Sequence, residues 1–348
     1  MSTTVAKRAI QLGSARGAVN RRTAVLTAGT LIAAIAVILL TLGTGALPVS
    51  PAGVVRCVLG AGDPANDFAV MDIGLPRAVT GLLVGLALGA AGSLVQAYTR
   101  NPLGSPDVIG FDAGAATFAL IGLLVLHLQP AGYSVLAVVG GLATAAVVFA
   151  LGTGGEHDAG YRLILIGIGV GAALASVNGY LLTRSTNYES QAAARWLAGS
   201  LSNSDWSRAG ILSVALVVLL PCAAACARHL RTMLLGADVA VALGVPLRRV
   251  SVGVLAIAVA LAAVAVATAG PVSFVALTAP QLVVRLTRGP APQVFASAAM
   301  GGLLMVVSDF VGQRALGSID LPVGVVTGAV GGVYLAWLLS REWKARSR

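Results

Sequence analysis

Ten long apolar runs, separated by short clusters of charged residues, constrain this chain most. A run of about 20 residues is enough for a helix to cross a hydrocarbon layer about 30 Å thick. Only 10 % of the residues are charged, against about 25 % in a soluble domain, which is too few to cover a water-soluble globule. The sequence therefore predicts an all-α polytopic membrane protein with about ten transmembrane helices. The runs lie at 24–43, 74–98, 108–128, 134–152, 162–183, 209–227, 250–269, 271–286, 292–311 and 322–340. The eighth is short for a full crossing.

The arginines and lysines predict an orientation, because these residues are retained on the cytoplasmic side. With a cytoplasmic N-terminus and ten alternating spans, 17 of the 23 lie inside. The six outside are Arg56, Arg77, Arg184, Arg195, Arg208 and Arg314. We therefore expect basic cytoplasmic tails at 1–23 and 341–348 around a permease domain at 24–340. The charges are dispersed over loop ends, and we expect no nucleic-acid binding.

The N-terminus has an alternative interpretation as a signal peptide, because Arg21-Arg22 precedes an apolar stretch. That stretch, 24–43, is longer than the 7–15-residue core of a signal, and no clear small-x-small cleavage site follows it. A retained first span is the favoured interpretation.

Residue patterns for catalysis and metal binding are missing from the sequence. The three cysteines form no disulfide framework, and the three histidines are far apart without clustered carboxylates. Lysine occurs only at Lys7 and Lys344, and no GxxxxGK[ST] loop exists, so this chain cannot itself be an ATPase. We expect no catalytic residues, no metal and no cofactor in this chain. A membrane enzyme is disfavoured for the same reason.

Ionisable residues are almost absent from the predicted spans, with Asp309 near the end of the ninth as the main exception. Ion-coupled carriers usually place such groups within the membrane as relays. The sequence therefore disfavours a secondary transporter and indicates that another subunit supplies the energy.

Two segments share a pattern of helix-interrupting glycine and proline residues at an offset of 178 residues. Ala91-Gly92 recurs as Ala269-Gly270, and Pro102 recurs as Pro280. Because the orientation places the two segments in opposite directions, the pattern predicts an inverted repeat with halves at about 74–183 and 250–340. We expect helix breaks at Asn101-Pro102, at Gly270-Pro271 and at Pro280.

Small residues recur at four-residue spacing in three spans. Such faces let helix backbones approach closely, so we expect packing contacts there. The glycines are Gly81, Gly85 and Gly89 in the second span, Gly167 and Gly171 in the fifth, and Gly324, Gly328 and Gly332 in the tenth.

Five motifs in order between residues 70 and 340 give the chain a family resemblance. They are Leu75-Pro76-Arg77 continuing through Ala91-Gly92 to Arg100-Asn101-Pro102-Leu103, Trp196 to Leu201, Leu235 to Pro246, Ala269 to Pro280, and Asp309 followed by Leu321 to Thr327. The chain resembles the FecCD permeases of ABC importers for iron–siderophore complexes, haem and vitamin B12. The resemblance implies the type II importer fold of a vitamin B12 importer permease, in a bacterial cytoplasmic membrane.

The resemblance also implies partners. These are a second permease subunit, identical or homologous, two cytoplasmic ATPase subunits that bind ATP and Mg, and an extracytoplasmic substrate-binding protein. The family's coupling helix, which sits in a cleft of the ATPase, corresponds to part of the loop 228–249. Its residues here are Leu235, Gly236, Ala237, Asp238, Val239, Ala240, Leu243 and Gly244. Ala237 departs from the family, which usually has an acid there.

On the outer face the resemblance implies arginines that meet carboxylates of the binding protein, and Arg77 and Arg314 are the candidates. Gly74 and Gln313 stand where the family often has arginine. The translocation path is implied to run along the fifth and tenth spans, with Ser176, Asn178 and Thr327 as polar candidates. Gln281 replaces a frequent histidine, as in some ferric-siderophore permeases. We therefore expect a ferric siderophore as cargo, with vitamin B12 or haem as the alternative.

Overall fold

The computed structural model describes residues 21–44, 49–107, 110–152, 159–290, 292–315 and 320–346, and these residues form helices and connecting turns without strands. A π-helical segment, Phe68–Gly74, leads directly into the helix Leu75–Thr99, and a second, Ile121–Val125, extends the helix Phe111–Leu120. The helices are α1 (Arg21–Gly43), α2 (Pro51–Val58), α3 (Pro64–Asp67), α4 (Leu75–Thr99), α5 (Phe111–Leu120), α6 (Pro130–Gly152), α7 (Ala159–Arg184), α8 (Asn187–Leu197), α9 (Trp206–Met233), α10 (Ala237–Ala242), α11 (Leu247–Ala269), α12 (Val275–Thr287), α13 (Val294–Gly312) and α14 (Val323–Arg346).

Each of the ten predicted apolar runs coincides with one of these helices. Seven apolar segments are long enough to cross a membrane: α1, α4 with its π-helical lead, α6, α7, α9, α11 and α13. The remaining three, α5, α12 and α14, contain shorter apolar stretches. The prediction of a polytopic all-α protein is therefore confirmed, including a short eighth span, which is the 13-residue α12.

Helix α4 is the centre of the packing. It contacts α13, α11, α9 and α12, and 78 % of its most apolar 18-residue window is buried. Helices α7 and α9 lie at the periphery, because only 11 % and 22 % of the residues in their most apolar 18-residue stretches are buried. Apolar side chains exposed at this periphery are what a surface facing lipid or another subunit requires.

Glycines allow α4 to approach its neighbours. A Cβ on Gly85 would overlap the backbone of Gly301, and one on Gly89 would overlap the carbonyl of Ser297, both in α13. A Cβ on Gly92 would overlap the carbonyl of Ala276 in α12. The predicted close packing along the second span is confirmed, because no side chain fits between these backbones.

In α14 the packing face differs from the predicted one. Gly324 lies against the carbonyl of Ala198, as expected for a packing residue, and Gly331 lies against the ring of Phe274. A Cβ on Gly328 would meet no described atom within 4 Å. Within the described chain the close contacts of α14 are therefore two turns apart, and the predicted packing at Gly328 is not made inside this chain and stays a prediction for a contact with another subunit.

Two equivalent sets of four helices, α4–α7 and α11–α14, follow from the contact pattern. The pair α4–α13 corresponds to α11–α6, α5–α6 corresponds to α12–α13, and α6–α7 corresponds to α13–α14. Five predicted spans separate the start of α4 from the start of α11, so alternate crossing gives the two sets opposite directions. The internal repeat predicted from the sequence is thus present in the fold.

The offset of the repeat is not the predicted 178 residues. Helices α5 and α12 begin at Phe111 and Val275, and α6 and α13 begin at Pro130 and Val294, so both pairs are 164 residues apart. The residues before α5 and α12, Gly110 and Phe274, are 164 apart as well, and both have a positive φ, of 86° and 69°. Matching Gly92 to Gly270 was wrong, because Gly92 lies inside a helix whereas Gly270 ends one.

Two of the three predicted helix breaks are present. Helix α4 ends before Asn101-Pro102, where Asn101 Oδ1 accepts a hydrogen bond of 2.9 Å from the backbone N–H of Leu103. Helix α11 ends before Gly270-Pro271, with φ of 73° at Gly270.

The third predicted interruption, at Pro280, does not end a helix, because this residue lies buried inside α12, and a bend there stays a prediction. Proline has no N–H to donate to the carbonyl four residues earlier, which here belongs to Ala276. That carbonyl is the one against which Gly92 of α4 packs. The position of Pro280 therefore coincides with a close helix contact instead of a helix end.

Candidate docking, coupling and transport sites

Arg77 lies at the start of α4 and is held by two aspartates of its own chain. Its Nε lies 3.1 Å and its Nη2 2.9 Å from Oδ1 of Asp309, and its Nη1 lies 3.3 Å from Oδ2 of Asp320. The Asp309 side chain is 5 % exposed, whereas that of Asp320 is 58 % exposed. Gln313 donates a further hydrogen bond of 2.6 Å to Asp309. One acid therefore fixes the arginine from inside, and the other meets it from the solvent side.

Arg314, the second predicted docking residue, ties the end of α13 to the end of α1. Its Nη2 donates to the carbonyl of Thr41 at 2.9 Å and to the hydroxyl of Thr44, and its guanidinium carbon lies 4.3 Å from the ring centroid of Phe310. Both predicted docking residues are thus engaged within the chain. Whether they also contact a binding protein stays a prediction.

A junction of closely packed backbone lies between α8, α11 and α14. Gly199, with φ of 68°, packs against the carbonyl of Pro271, and its own carbonyl accepts a hydrogen bond of 3.2 Å from the N–H of Gly324. The N–H of Ser200 donates to the carbonyl of Ala269 at 2.8 Å. Gly270, Pro271 and Gly324, predicted separately as breaks and packing residues, therefore meet at one place.

A cavity of about 540 Å³, referred to below as the outer cavity, borders this junction. Tyr133, Arg195, Trp196, Arg208 and Asp320 are among the residues that line it. Arg195, Arg208 and, through Asp320, Arg77 all belong to the set of residues that the sequence places outside. The fold therefore gathers three of these six arginines at one end of the molecule.

The predicted coupling segment forms a short helix that projects between α9 and α11. Helix α10 covers the centre of the segment, Ala237–Ala242, and Asp238 lies in its first turn. Gly236 and Gly244, with φ of 116° and 79°, flank it in conformations that favour glycine. The large apolar side chains are exposed by 38–67 %, and they belong to Leu234, Leu235, Val239, Val241 and Leu243.

A second cavity, of about 410 Å³, lies beside the base of this loop, with Leu234, Arg100, Asn101 and Pro102 in its wall. Arg100 attaches the end of α4 to the loop, because its Nη2 donates a hydrogen bond of 2.6 Å to the carbonyl of Met233. The cavity therefore lies where α4, α9 and the coupling segment meet.

Gln281 belongs to a chain of side-chain amides at this second cavity. Its Nε2 donates to Oε1 of Gln96 at 2.7 Å, and Nε2 of Gln96 donates to the carbonyl of Leu277 at 2.9 Å. The pair links α4 to α12, which are the helices that also meet at Gly92. Gln281 thus contacts protein groups in the structure, and its resemblance-based link to siderophore cargo stays a prediction.

The three predicted path residues occupy different surroundings. The Ser176 hydroxyl donates to the carbonyl of Ala172, and that of Thr327 donates to the carbonyl of Gly324, so both bond within their own helices. Thr327 is buried, whereas Ser176 is exposed on α7. Asn178 Oδ1 is shielded from solvent and accepts no hydrogen bond from the described residues. Asn178 is thus the candidate whose polar atom is buried without a partner among the described residues.

Several residues of these sites carry no recognisable signal in the sequence. Asp320 contacts Arg77 across 243 positions, and Gln281 contacts Gln96 across 185. Arg195 and Arg208 could be assigned to a side of the membrane from charge counting, but nothing in the sequence indicates that they share a cavity with Tyr133.

The comparisons with known proteins agree with these features. The model of the FecCD transport family matches residues 32–341, which is most of the chain. This chain belongs to the FecCD transport family. Its members are ABC importer permeases, so the permease subunit described here is a multi-pass membrane protein that works with separate ATPase and substrate-binding subunits.

Two relatives illustrate the match. The permease is 35 % identical to the ferric enterobactin transport system permease protein of Escherichia coli over 301 residues, covering 86 % of this chain and 91 % of the relative. It is 30 % identical to a siderophore transport system permease protein of Bacillus subtilis over 312 residues, covering 87 % and 91 %. Relatives at 30 % and 32 % identity are a hemin permease of Yersinia pestis and a cobalamin permease of Halobacterium salinarum.

Among solved structures, a metal-chelate type ABC transporter in an inward-facing conformation matches with a TM-score of 0.78. The match covers 90 % of this chain and 98 % of the other at 24 % identity, so it supports the fold alone. The type II importer fold predicted from the sequence is therefore confirmed.

Proposed function

We propose that this permease moves a ferric siderophore from an external binding protein into the cytoplasm, and that separate ATPase subunits drive it through the segment Leu235–Gly244. The observation that carries the proposal is the exposed apolar surface of this segment. A loop between two spans lies outside the hydrocarbon, where bare leucine and valine side chains mark a protein contact. Burial in a cleft of the ATPase would remove these side chains from water.

The siderophore assignment rests on the relatives. Three of these relatives are named as permeases for enterobactin, ferric citrate and achromobactin, and two others are named for hemin and cobalamin. Haem or vitamin B12 is therefore the alternative cargo for the same machinery. We take the siderophore as the primary assignment because the enterobactin permease of Escherichia coli is 35 % identical to this chain, against 30 % and 32 % for the hemin and cobalamin permeases.

The topology we propose has both termini in the cytoplasm. In this orientation the coupling segment and the cavity at Gln96 face the ATPase, whereas Arg77, Arg314 and the outer cavity face the binding protein. Residues 1–23 and 341–348 then form basic cytoplasmic tails, most of which lie outside the described residues. The permease pairs with a second copy or a paralogue, for which the exposed apolar face of α7 is available.

Arg77 is proposed as a docking residue whose Nη1 can exchange Asp320 for a carboxylate of the binding protein. Asp309 occupies Nε and Nη2 from the buried side, so the guanidinium is already oriented. The pair with the exposed Asp320 is worth about 0–1 kcal/mol, which a carboxylate of the binding protein can replace. Arg314 is proposed as a weaker contact, because its Nη2 is already used by Thr41 and Thr44.

Asn178, Ser176 and Thr327 are proposed as path residues, in this order of weight. Asn178 has priority because its buried oxygen accepts no hydrogen bond from the described residues, and a buried acceptor without a partner costs about 1–3 kcal/mol. Because this oxygen is shielded from solvent in the structure, α7 would have to move before water or cargo could supply the missing donor.

The test of the proposed function uses the complete importer in proteoliposomes. Asp238→Lys together with Leu243→Glu places charge on the coupling surface, so we expect loss of uptake and of binding-protein-stimulated ATP hydrolysis. Asp63→Lys is the matched control, because this acid is also exposed but lies near α2, away from the coupling segment. Normal stimulation in the doubly substituted permease would contradict the coupling assignment.

A further inference from the structure

The outer cavity is lined on several sides by separate elements of the fold. Tyr133 comes from the start of α6, Arg195 and Trp196 from the end of α8, and Arg208 from the start of α9. The residues before α14 close the remaining side. A volume of about 540 Å³ lies within the 300–1,000 Å³ range of small-molecule sites.

The charges of the cavity wall do not cancel. The wall contains Arg195, Arg208 and one acid, Asp320, whose carboxylate is paired with Arg77. Arg208 forms an ion pair with Asp205, with 4.0 Å between Nε and Oδ2, and this acid also caps α9 by accepting a hydrogen bond from the backbone N–H of Arg208. The ion pairs found among the described residues do not include Arg195. The cavity therefore carries excess positive charge.

The same wall offers aromatic surface and neutral donors. The rings of Tyr133 and Trp196 meet edge to face, with centroids 6.1 Å apart. Ser200, Ser202 and Asn203 add hydroxyl and amide groups. Aromatic surface beside arginines and neutral donors suits a large, oxygen-rich anion with planar groups, because each part of such a ligand finds a matching contact.

We propose that the outer cavity binds a negatively charged ferric chelate through Arg195 and Arg208. The inference rests on the proposed function and refines it, because it names anionic chelates, of the catecholate or carboxylate class, as the preferred cargo of this permease. The junction of Gly199, Gly270 and Gly324 borders the cavity, so a chelate bound there rests directly against the packed backbone of α8, α11 and α14.

The experiment measures binding to the purified permease in nanodiscs without the binding protein. Ferric dicitrate is the anionic probe and a neutral ferric trihydroxamate is the comparison, and quenching of tryptophan fluorescence by the iron complex reports binding near Trp196. Arg195→Gln and Arg208→Gln are each expected to weaken binding of ferric dicitrate by roughly tenfold, because each removes one charge-assisted contact. Binding of the wild type should weaken with added salt, and more steeply than that of the variants.

Arg184→Gln is the matched control. This arginine belongs to the same predicted outer set but contacts Tyr180 at the end of α7 and does not line the cavity. Equal binding of ferric dicitrate by wild type, Arg195→Gln and Arg208→Gln would overturn the proposal. The proposal would also be overturned if these substitutions weakened binding of the neutral ferric trihydroxamate as much as that of ferric dicitrate. Weakened docking of the binding protein with unchanged chelate binding would also overturn it and would identify the surface as a protein contact.

Uptake by the complete importer separates this inference from the proposed function. If ATP-driven uptake of a ferric chelate is observed while the arginine variants bind ferric dicitrate normally, only the cavity assignment fails. If the wild-type importer takes up no ferric chelate although the permease binds ferric dicitrate through Arg195 and Arg208, the cavity assignment is retained and the proposed function fails.

Discussion

The guanidinium of Arg77 and the carboxylate of Asp309 form a two-nitrogen ion pair between α4 and α13. Nε lies 3.1 Å and 3.2 Å from the two carboxylate oxygens, and Nη2 lies 2.9 Å from Oδ1. Both side chains are largely withdrawn from solvent, at 16 % and 5 % exposure. Removing one partner of such a pair leaves the other charge buried without compensation, which is more costly than the pair is stabilising.

Asp309→Asn is therefore expected to destabilise the fold by about 3 kcal/mol, because it leaves the charge of Arg77 without its buried partner. Thermal unfolding of the purified permease in detergent measures the effect as a lower melting temperature. The double variant with Arg77→Gln should lose less than the sum of the two single variants, because both charges are then absent. Asp205→Asn removes an exposed acid and serves as the control. Additive losses would show that the two residues do not act as a pair.

The sequence predicted the helices well because a membrane-spanning helix has a length requirement that a run of apolar residues displays directly. It predicted the contacts of Arg77 poorly. Asp309 and Asp320 lie 232 and 243 positions away, and no local pattern records which distant carboxylate an arginine meets. Arg77 was interpreted as a residue for a partner protein, whereas its guanidinium also has an internal structural role.

The repeat shows a different limit of sequence reasoning. Gly92 and Gly270 look equivalent in the sequence because both follow alanine near the end of an apolar run. In the fold, Gly92 allows α12 to approach α4, whereas Gly270 supplies a positive φ where α11 ends. A glycine can serve either purpose, so the letters alone cannot align the two halves. The positive φ at Gly110 and Phe274 aligns them, and it becomes visible only in the structure.

Asp320→Asn is expected to strengthen docking of the binding protein by up to about fivefold at low salt. Asp320 is the exposed acid on Nη1 of Arg77, and its neutralisation makes that nitrogen available to a carboxylate of the partner. The dissociation constant of the binding protein on permease in nanodiscs measures the effect.

Asp63→Asn is the matched control for Asp320→Asn, because it removes an exposed charge without freeing Arg77. If both substitutions strengthen docking equally, the gain reflects reduced repulsion in general, and the exchange at Arg77 is wrong. In an Arg77→Gln background, Asp320→Asn should have no effect on docking.

Gly92→Ala is expected to destabilise the permease by about 1–3 kcal/mol, because the added methyl group overlaps the Ala276 carbonyl and forces α4 and α12 apart. Gly210→Ala is the matched control. It also lies in a helix, but a Cβ there meets no described atom within 4 Å, so the substitution should be neutral or stabilising through helix propensity. Melting temperatures of the two variants in the same detergent give the comparison. A loss in Gly210→Ala as large as in Gly92→Ala would contradict the role of close packing.

Asp107, in the loop between α4 and α5, gives a pH-dependent prediction. Burial raises the pKa of its carboxyl above the ordinary value of 3.8, although the backbone N–H of Phe274 acts in the lowering direction. The folded state therefore binds the proton more tightly than the unfolded chain, and this carboxyl makes folding less favourable as the pH rises above 3.8.

Asp107→Asn keeps an oxygen for the N–H of Phe274 and removes the ionisation. We expect the variant to melt at a higher temperature than the wild type at about pH 7.5, with the difference shrinking towards about pH 4.5. A constant difference across this range would mean that folding leaves the pKa of Asp107 unchanged, and a difference that grows as the pH falls would mean that folding lowers this pKa; either result would contradict the prediction. Asp63→Asn, which changes an exposed acid away from this loop, is the control.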